Sequence, residues 1–189
     1  MREYVCLARQ CYERADYSVC PVQAEHVEAI RQWRNAQRDV LRQRDEITPQ
    51  QQQRYYEAQI WPDMARRQPS NVLFAYSERD TLIGYGGLVH IAWEHRRAEL
   101  SFLLDPRRAG DREGYARDFA AFLELMKQVA FRALALNRLF TETFAIRTHH
   151  IEILESCGFR PEGAMREHVI IDGMPIDSLL HGCLASHEA

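Results

Sequence analysis

Between Arg96 and Phe159 the chain changes its apolar period repeatedly, and that order of periods narrows the folds open to it more than any other feature. Ala98, Leu100 and Phe102 alternate with Arg97, Glu99 and Ser101, the period of two of a half-buried strand. Asp105-Pro106 ends that strand, because proline restricts the residue before it and has no N–H to give to a ladder. A polar loop, Arg107 to Gly114, carries two glycines and leads into a helix that opens at about Tyr115. Phe119, Phe122, Met126, Val129 and Ala133 then recur at spacings of three and four, a core-facing stripe that lasts to about Leu136. Leu139 to Phe144 returns to strand, and Thr148 to Ser156 is a short helix stopped by Gly158. A polar loop at a helix N-terminus is suited to anions, since unpaired N–H groups and the positive end of the dipole meet there. A cofactor with a pyrophosphate is the expectation.

The flanking sequence supplies the rest of a mixed sheet. Tyr17 to Val22 reads as a strand and Ala24 to Asn35 as a helix, with Val27, Ile30 and Trp33 at helical spacing. Thr48 and Pro49 suit the N-cap and first position of a second helix, Gln50 to Arg67, which Pro62 kinks or splits. Val72 to Ser77 and Leu82 to Ala92 are strands around an Arg79-Asp80 turn; the second contains Gly84, Gly86 and Gly87, which mark a bulge or a close backbone approach. Asp172-Gly173 joins Arg166–Ile171 and Ile176–Cys183 as a hairpin. The fold class is α/β (α+β), and 189 residues fit one domain, 1–189.

A net charge of -3 gives no basic footprint for nucleic acid. No segment approaches the ~20 apolar residues of a membrane span, and no apolar run of signal-peptide length opens the chain. The five cysteines, Cys6, Cys11, Cys20, Cys157 and Cys183, lack metal-ligand spacing and are expected as reduced thiols, with no metal, in a cytoplasmic protein.

The order of elements resembles the GNAT superfamily of acyl-CoA-dependent N-acetyltransferases over nearly the whole chain. Trp33-Arg34-Asn35 is similar to a pattern of branches that acetylate protein N-termini or amino sugars. Leu82-Ile83-Gly84-Tyr85-Gly86-Gly87 resembles the family's third strand, Asp111-Arg112-Glu113-Gly114-Tyr115-Ala116 its acetyl-CoA loop, and Cys157-Gly158-Phe159 the end of its second cofactor-facing helix. The resemblance implies a mostly antiparallel sheet with a central splayed parallel pair and flanking helices. Three positions depart from the family pattern. Asp111 stands where a basic or amide residue is usual; Arg147 and Leu154 stand where Asn and the thiolate-protonating Tyr are common. The general acid is therefore not carried over.

An amine attacks a thioester only as the free base, so the site needs a proton acceptor and an oxyanion partner. The resemblance assigns the latter to the backbone of Phe102, Leu103 and Leu104, with Arg112, Gly114, Tyr115 and Ala116 also at the cofactor. Glu99 is the first candidate base, acting through a water. Glu142, between Phe140 and Phe144 on a strand, is the second, since an acid there needs a partner or a role. His150, with His149 at the start of its helix, is an acid or base candidate near the pantetheine arm. Trp33, Arg34 and Arg38, with Arg42, are candidates to grip a carboxylate or phosphate of the acceptor. His90, with Trp93 beside it, and His168 are acceptor-cleft candidates.

The expected activity is acetyl transfer from acetyl-CoA to a small-molecule amine, a nucleotide-linked amino sugar being favoured by the arginines. The alternatives are the α-amine of a protein and an acyl-CoA binder without turnover. An exposed strand in the C-terminal half allows a homodimer.

Overall fold

A computed structural model describes residues 1–187. The chain begins with β1 (Tyr12–Arg14) and β2 (Tyr17–Pro21), followed by α1 (Val27–Ala36), α2 (Pro49–Tyr55) and α3 (Trp61–Met64). Next come β3 (Val72–Glu78), β4 (Thr81–Ala92) and β5 (Arg97–Leu104), then α4 (Arg112–Lys127), β6 (Arg138–Phe144), α5 (Thr148–Ser156), β7 (Arg160–Ile171) and β8 (Met174–Leu184).

Local sequence explains most boundaries. Thr48 caps α2 by accepting from the Gln51 N–H, and the Gln51 side chain returns the contact to the Thr48 N–H, a reciprocal capping box. The expected long second helix is interrupted by a π-helical turn at Tyr56–Ile60, and Pro62 follows directly as the second residue of α3. Helix α4 starts at Arg112, three residues earlier than the apolar stripe alone predicts, and passes into a π-helical turn at Gln128–Ala133.

The eight strands form one sheet in the order β1-β2-β3-β4-β5-β6-β8-β7. All neighbours are antiparallel except β5 and β6, which pair in parallel over Arg97↔Arg138, Ala98↔Leu139 and Glu99↔Phe140 only. Beyond Glu99, β5 stays on β4 as far as Leu104, while β6 stays on β8 as far as Phe144. The centre of the sheet therefore opens as a V.

The core lies where α4 crosses the sheet. Phe119, Phe122 and Met126 are buried, and Phe102 packs its ring against Phe119 at 4.6 Å and Phe122 at 4.8 Å. Gly87 lies where β4 crosses Val72; its φ of +148 and the Val72 carbonyl, which a Cβ would overlap, both require glycine.

Two sequence expectations are corrected. Cys11 and Cys20 form a disulfide rather than staying reduced. The antiparallel register of Tyr12 with Val19 places the two cysteines directly opposite each other, with Cα atoms 4.3 Å apart. Trp33, expected at the acceptor, is packed in the core with Ile30, because the apolar stripe of α1 faces the sheet. No described helix is long and apolar enough to cross a membrane.

Candidate active site

The V is lined by Glu99–Phe102 on one strand and Thr141–Phe144 on the other, with Val40–Arg42 across the opening and Arg147 and His150 at its inner wall; the cavity measures about 90 Å³. From Leu100 onward the edge of β5 that faces β6 has no strand partner; Gln37 takes the Leu104 carbonyl, and the backbone polar groups of Leu100 and Phe102 are available inside the protein.

Two carboxylates stand at the point of separation. Glu99, placed by its alternation on a half-exposed face, is instead buried, because β5 is central and covered on both sides. Its side chain is 8% exposed, and that of Glu142 is 14% exposed. A single guanidinium, Arg42, reaches both from the segment between α1 and α2: one nitrogen pairs with Glu99 and another lies 3.1 Å from Glu142. As ionised groups these three side chains leave one net negative charge.

A histidine attends each acid. His90 Nε2 lies 3.8 Å from Glu99 and His168 Nε2 lies 3.6 Å from Glu142. Both sit at irregularities, His90 in the register shift of β4 between Val89 and Ala92, and His168 in that of β7 between Met165 and Val169. Bulges of this kind re-aim side chains. His90 and Glu167 take positive φ values of 50° and 51° there.

The expected arginine cluster does not stand free for an anion. Arg42 is engaged by the two acids, Arg34 donates to Gln43 at 3.0 Å, and Arg38 is exposed on a short turn after α1. Leu103 and Leu104 bury their side chains in the core, and the Leu104 carbonyl accepts from Gln37; only Phe102 of the three borders the cavity.

The N-terminus of α4 opens next to the V. The Tyr115 N–H is the first to bond within the helix, to the Asp111 carbonyl at 2.7 Å, so those of Arg112, Glu113 and Gly114 precede the helical ladder. The Asp111 carboxylate lies over Gly114, in the space a Cβ would need. Arg112 reaches Glu152 of α5 at 3.5 Å, and the Arg112 carbonyl is 3.1 Å from His149 Nε2. Ala116, partly buried, packs against the core rather than at the loop surface.

The approach loop is held by an ion-pair network that local sequence does not announce. Asp118, fully buried on α4, accepts from Arg108 Nε at 2.7 Å, Arg108 NH2 at 3.0 Å and the Tyr17 hydroxyl at 2.8 Å. Arg108 also bonds Glu78 at 3.0 Å, and these contacts raise its pKa further above the ordinary arginine value. The only sequence signal was an acid inside the apolar stripe of α4.

Deeper in the V, His150 is buried on α5 and stacks on Phe119 with ring centres 4.0 Å apart. Its Nδ1 lies 2.8 Å from the Tyr115 hydroxyl, and that hydroxyl accepts from Arg147 at 3.2 Å. Burial, reinforced by the charge of Arg147, holds the His150 pKa well below its usual value, so the ring is neutral. Leu154, at the family's tyrosine position, is sealed in the core.

A mixed sheet opened at one parallel pair, with acids at the fork and a helix N-terminus at its mouth, defines a class of cleft suited to an extended ligand with an anionic end. The family model for the acetyltransferase (GNAT) domain matches residues 22–180, and the chain belongs to that family. It is 28% identical over 119 residues to an uncharacterized N-acetyltransferase, YoaA, of Bacillus subtilis, a match covering 62% of this chain and 64% of that protein. It is also 28% identical over 92 residues to the spermidine N(1)-acetyltransferase of Vibrio cholerae, covering 49% of this chain and 50% of that protein. The matches thus span half to just under two thirds of these relatives' lengths. The structure of spermidine N-acetyltransferase from Vibrio cholerae in complex with CoA and spermine superposes with a TM-score of 0.78 at 20% identity, covering 92% of this chain and 98% of that one. A dodecameric intermediate state of the Vibrio cholerae enzyme gives 0.76 at 19% identity, covering 93% and 97%. These structural matches establish the shared fold.

Proposed function

We propose that the chain transfers an acetyl group from acetyl-CoA to a small primary amine that carries positive charge. The observation that carries this reading is the pair of carboxylates, Glu99 and Glu142, held by one arginine where β5 and β6 part. Arg147 balances the charge of the cavity as a whole from beside Tyr115 and His150, but the two acids outnumber Arg42 at the fork itself, and that local excess of negative charge favours an ammonium there over a carboxylate or phosphate. For this reason the reading places a cationic amine ahead of the amino-sugar nucleotide, since Arg42 is held by the two acids and Arg34 by Gln43, and Arg38 does not line the cavity. The Vibrio cholerae relatives named for spermidine agree with it.

Acetyl-CoA fits the residues present. The unpaired edge of β5 offers backbone groups to an amide-bearing chain, and the N-terminus of α4, with Gly114, suits a pyrophosphate once the exposed Asp111 carboxylate swings aside. When bound, it supplies an acetyl thioester beside the fork. Glu99 takes the proton from the incoming ammonium, directly or through a water, and releases it to solvent. Glu142, with His168 beside it, holds the remaining positive charge of the acceptor, while His90 flanks Glu99 at the entrance.

Calorimetric titration with acetyl-CoA and with desulfo-CoA, followed by an amine screen, tests the reading. Saturable binding is expected, with turnover of diamines or polyamines that falls at least about 100-fold in Glu99→Gln at unchanged acetyl-CoA affinity. Turnover of amino-sugar nucleotides or peptide N-termini in preference to cationic amines refutes the acceptor assignment. No CoA binding by folded protein refutes the enzyme.

A further inference from the structure

The acyl-transfer reading uses Glu99 to take a proton from the amine but leaves the departing sulfur without one. The buried His150 cluster faces the same cavity. Its parts come from separate elements: His150 and Arg147 from α5, Tyr115 and Phe119 from α4, and Phe102 from β5. Besides Arg147 and Tyr115, the charged or titratable groups near the ring are His149 on α5 and His181 on β8.

The hydrogen bonds fix the direction of the proton. Arg147 has donors only, so the Tyr115 oxygen accepts from it. The Tyr115 hydrogen is then aimed at the other contact, His150 Nδ1 at 2.8 Å. Arg147 also approaches Nδ1, at 3.4 Å, and can only donate there, so Nδ1 is the acceptor and the ring carries its hydrogen on Nε2. Both hydrogen bonds of His150 run through Nδ1, and no described residue bonds Nε2. Stacking on Phe119 and Phe102 holds the ring plane.

We propose that Tyr115 and Arg147 lock His150 as the Nε2–H tautomer and that His150 is the group that protonates the departing sulfur. The step rests on the acetyl-transfer reading above. As the acetyl C–S bond breaks, the bonding pair goes to sulfur. His150 gives its Nε2 proton to that sulfur and receives the Tyr115 hydroxyl proton at Nδ1. The Tyr115 oxygen takes the negative charge, which burial disfavours and the adjacent Arg147 guanidinium offsets, and regains a proton from water. No imidazolium forms, which suits a ring whose burial and cationic neighbours disfavour charge. Tyr115 and Arg147 act through His150 and are positioning residues.

Two measurements decide it. Nitrogen-15 NMR of the imidazole in the unliganded protein, assigned with His150→Gln, reports the tautomer without any turnover. The expected result is a single Nε2–H form at pH 7 and above, and a mixture in Tyr115→Phe. An Nδ1–H ring in the unaltered protein overturns the proposal. In the second, Tyr115→Phe and His150→Gln are expected to keep acetyl-CoA affinity within about threefold and to lose at least about 100-fold in kcat. With S-acetyl-4-nitrothiophenol, whose thiol leaves without a proton, the loss in kcat/KM should shrink to below about threefold. Equal losses with both donors indicate a structural role and overturn the proposal. If the unaltered protein turns over no amine, the acetyl-transfer reading fails and takes the proton-donor role with it. A locked tautomer would then stand as a structural fact.

Discussion

Asp118→Asn is the perturbation that best separates the scaffold of this site from its chemistry. The substitution keeps the size of the side chain and removes its charge, leaving Arg108 with Glu78 as its acidic partner. Asp118 is fully buried and accepts three hydrogen bonds, two of them from Arg108 and one from Tyr17. Breaking a buried pair from one side costs about 3–5 kcal/mol. The Arg108 side chain is 32% exposed, so water recovers part of that cost and about 2–4 kcal/mol is expected. For a chain of this length each kcal/mol moves Tm by about 2–4 °C, which places the loss at roughly 5–15 °C. Thermal unfolding followed by circular dichroism, with urea unfolding to check that the slope is unchanged, measures it. Acetyl-CoA affinity should fall as well, because Arg108 anchors the segment between β5 and α4. A Tm within 2 °C of the unaltered protein would refute the reasoning, since the pair would then return no more than its desolvation cost.

Four further outcomes are expected at other positions around the site and the sheet. Asp111→Asn should tighten acetyl-CoA binding by about fivefold at low salt, because a carboxylate over the α4 N-terminus repels a phosphate by about 1 kcal/mol; calorimetry reads this, and weaker binding would mean that Asp111 serves the cofactor. Gly87→Ala should cost at least about 2 kcal/mol in urea unfolding, from a φ of +148 and an overlap with the Val72 carbonyl. Arg42→Ala should leave acetyl-CoA affinity unchanged and lower KM for a cationic amine, since the guanidinium competes for both acids; a raised KM would make Arg42 part of the acceptor site. His150 gives stability a pH dependence. Its pKa is lower folded than unfolded, so the unfolded chain binds more protons as pH falls below about 6.5, and stability drops by up to about 1.4 kcal/mol per pH unit until the folded value is reached. His150→Gln should flatten that slope, and an unchanged slope would show that other groups set it.

The path from β5 through α4 and β6 to α5 was legible because each element carries its own period and its own stop. Asp105-Pro106, the α4 stripe and Gly158 fix boundaries to within a few residues. Legibility failed where no period exists. β1 is three residues long, and the β7–β8 ribbon runs from Arg160 to Leu184, well beyond the expected hairpin, with much of β7 exposed on both faces. Missing β1 concealed the Cys11–Cys20 pairing, which only the strand register creates. The candidate site divides in the same way. Glu99 and Glu142 stand out as acids on apolar strands, His90 by its place at a strand end, and His150 and His168 by the family resemblance; all five lie at the V or its rim. Arg42 and Asp118 take their meaning from partners 57, 100 and 101 residues away, a separation no local window contains. Trp33 shows the opposite error, where a family pattern suggested contact with substrate and the helical period already pointed to the core. The local pattern is thus the better guide to where a side chain is buried. What that side chain does is set by the charge the fold brings to it, and for Glu99 and Glu142 that charge is Arg42, which the sequence marked for an anionic acceptor and which the fold pairs with the protein's own two acids.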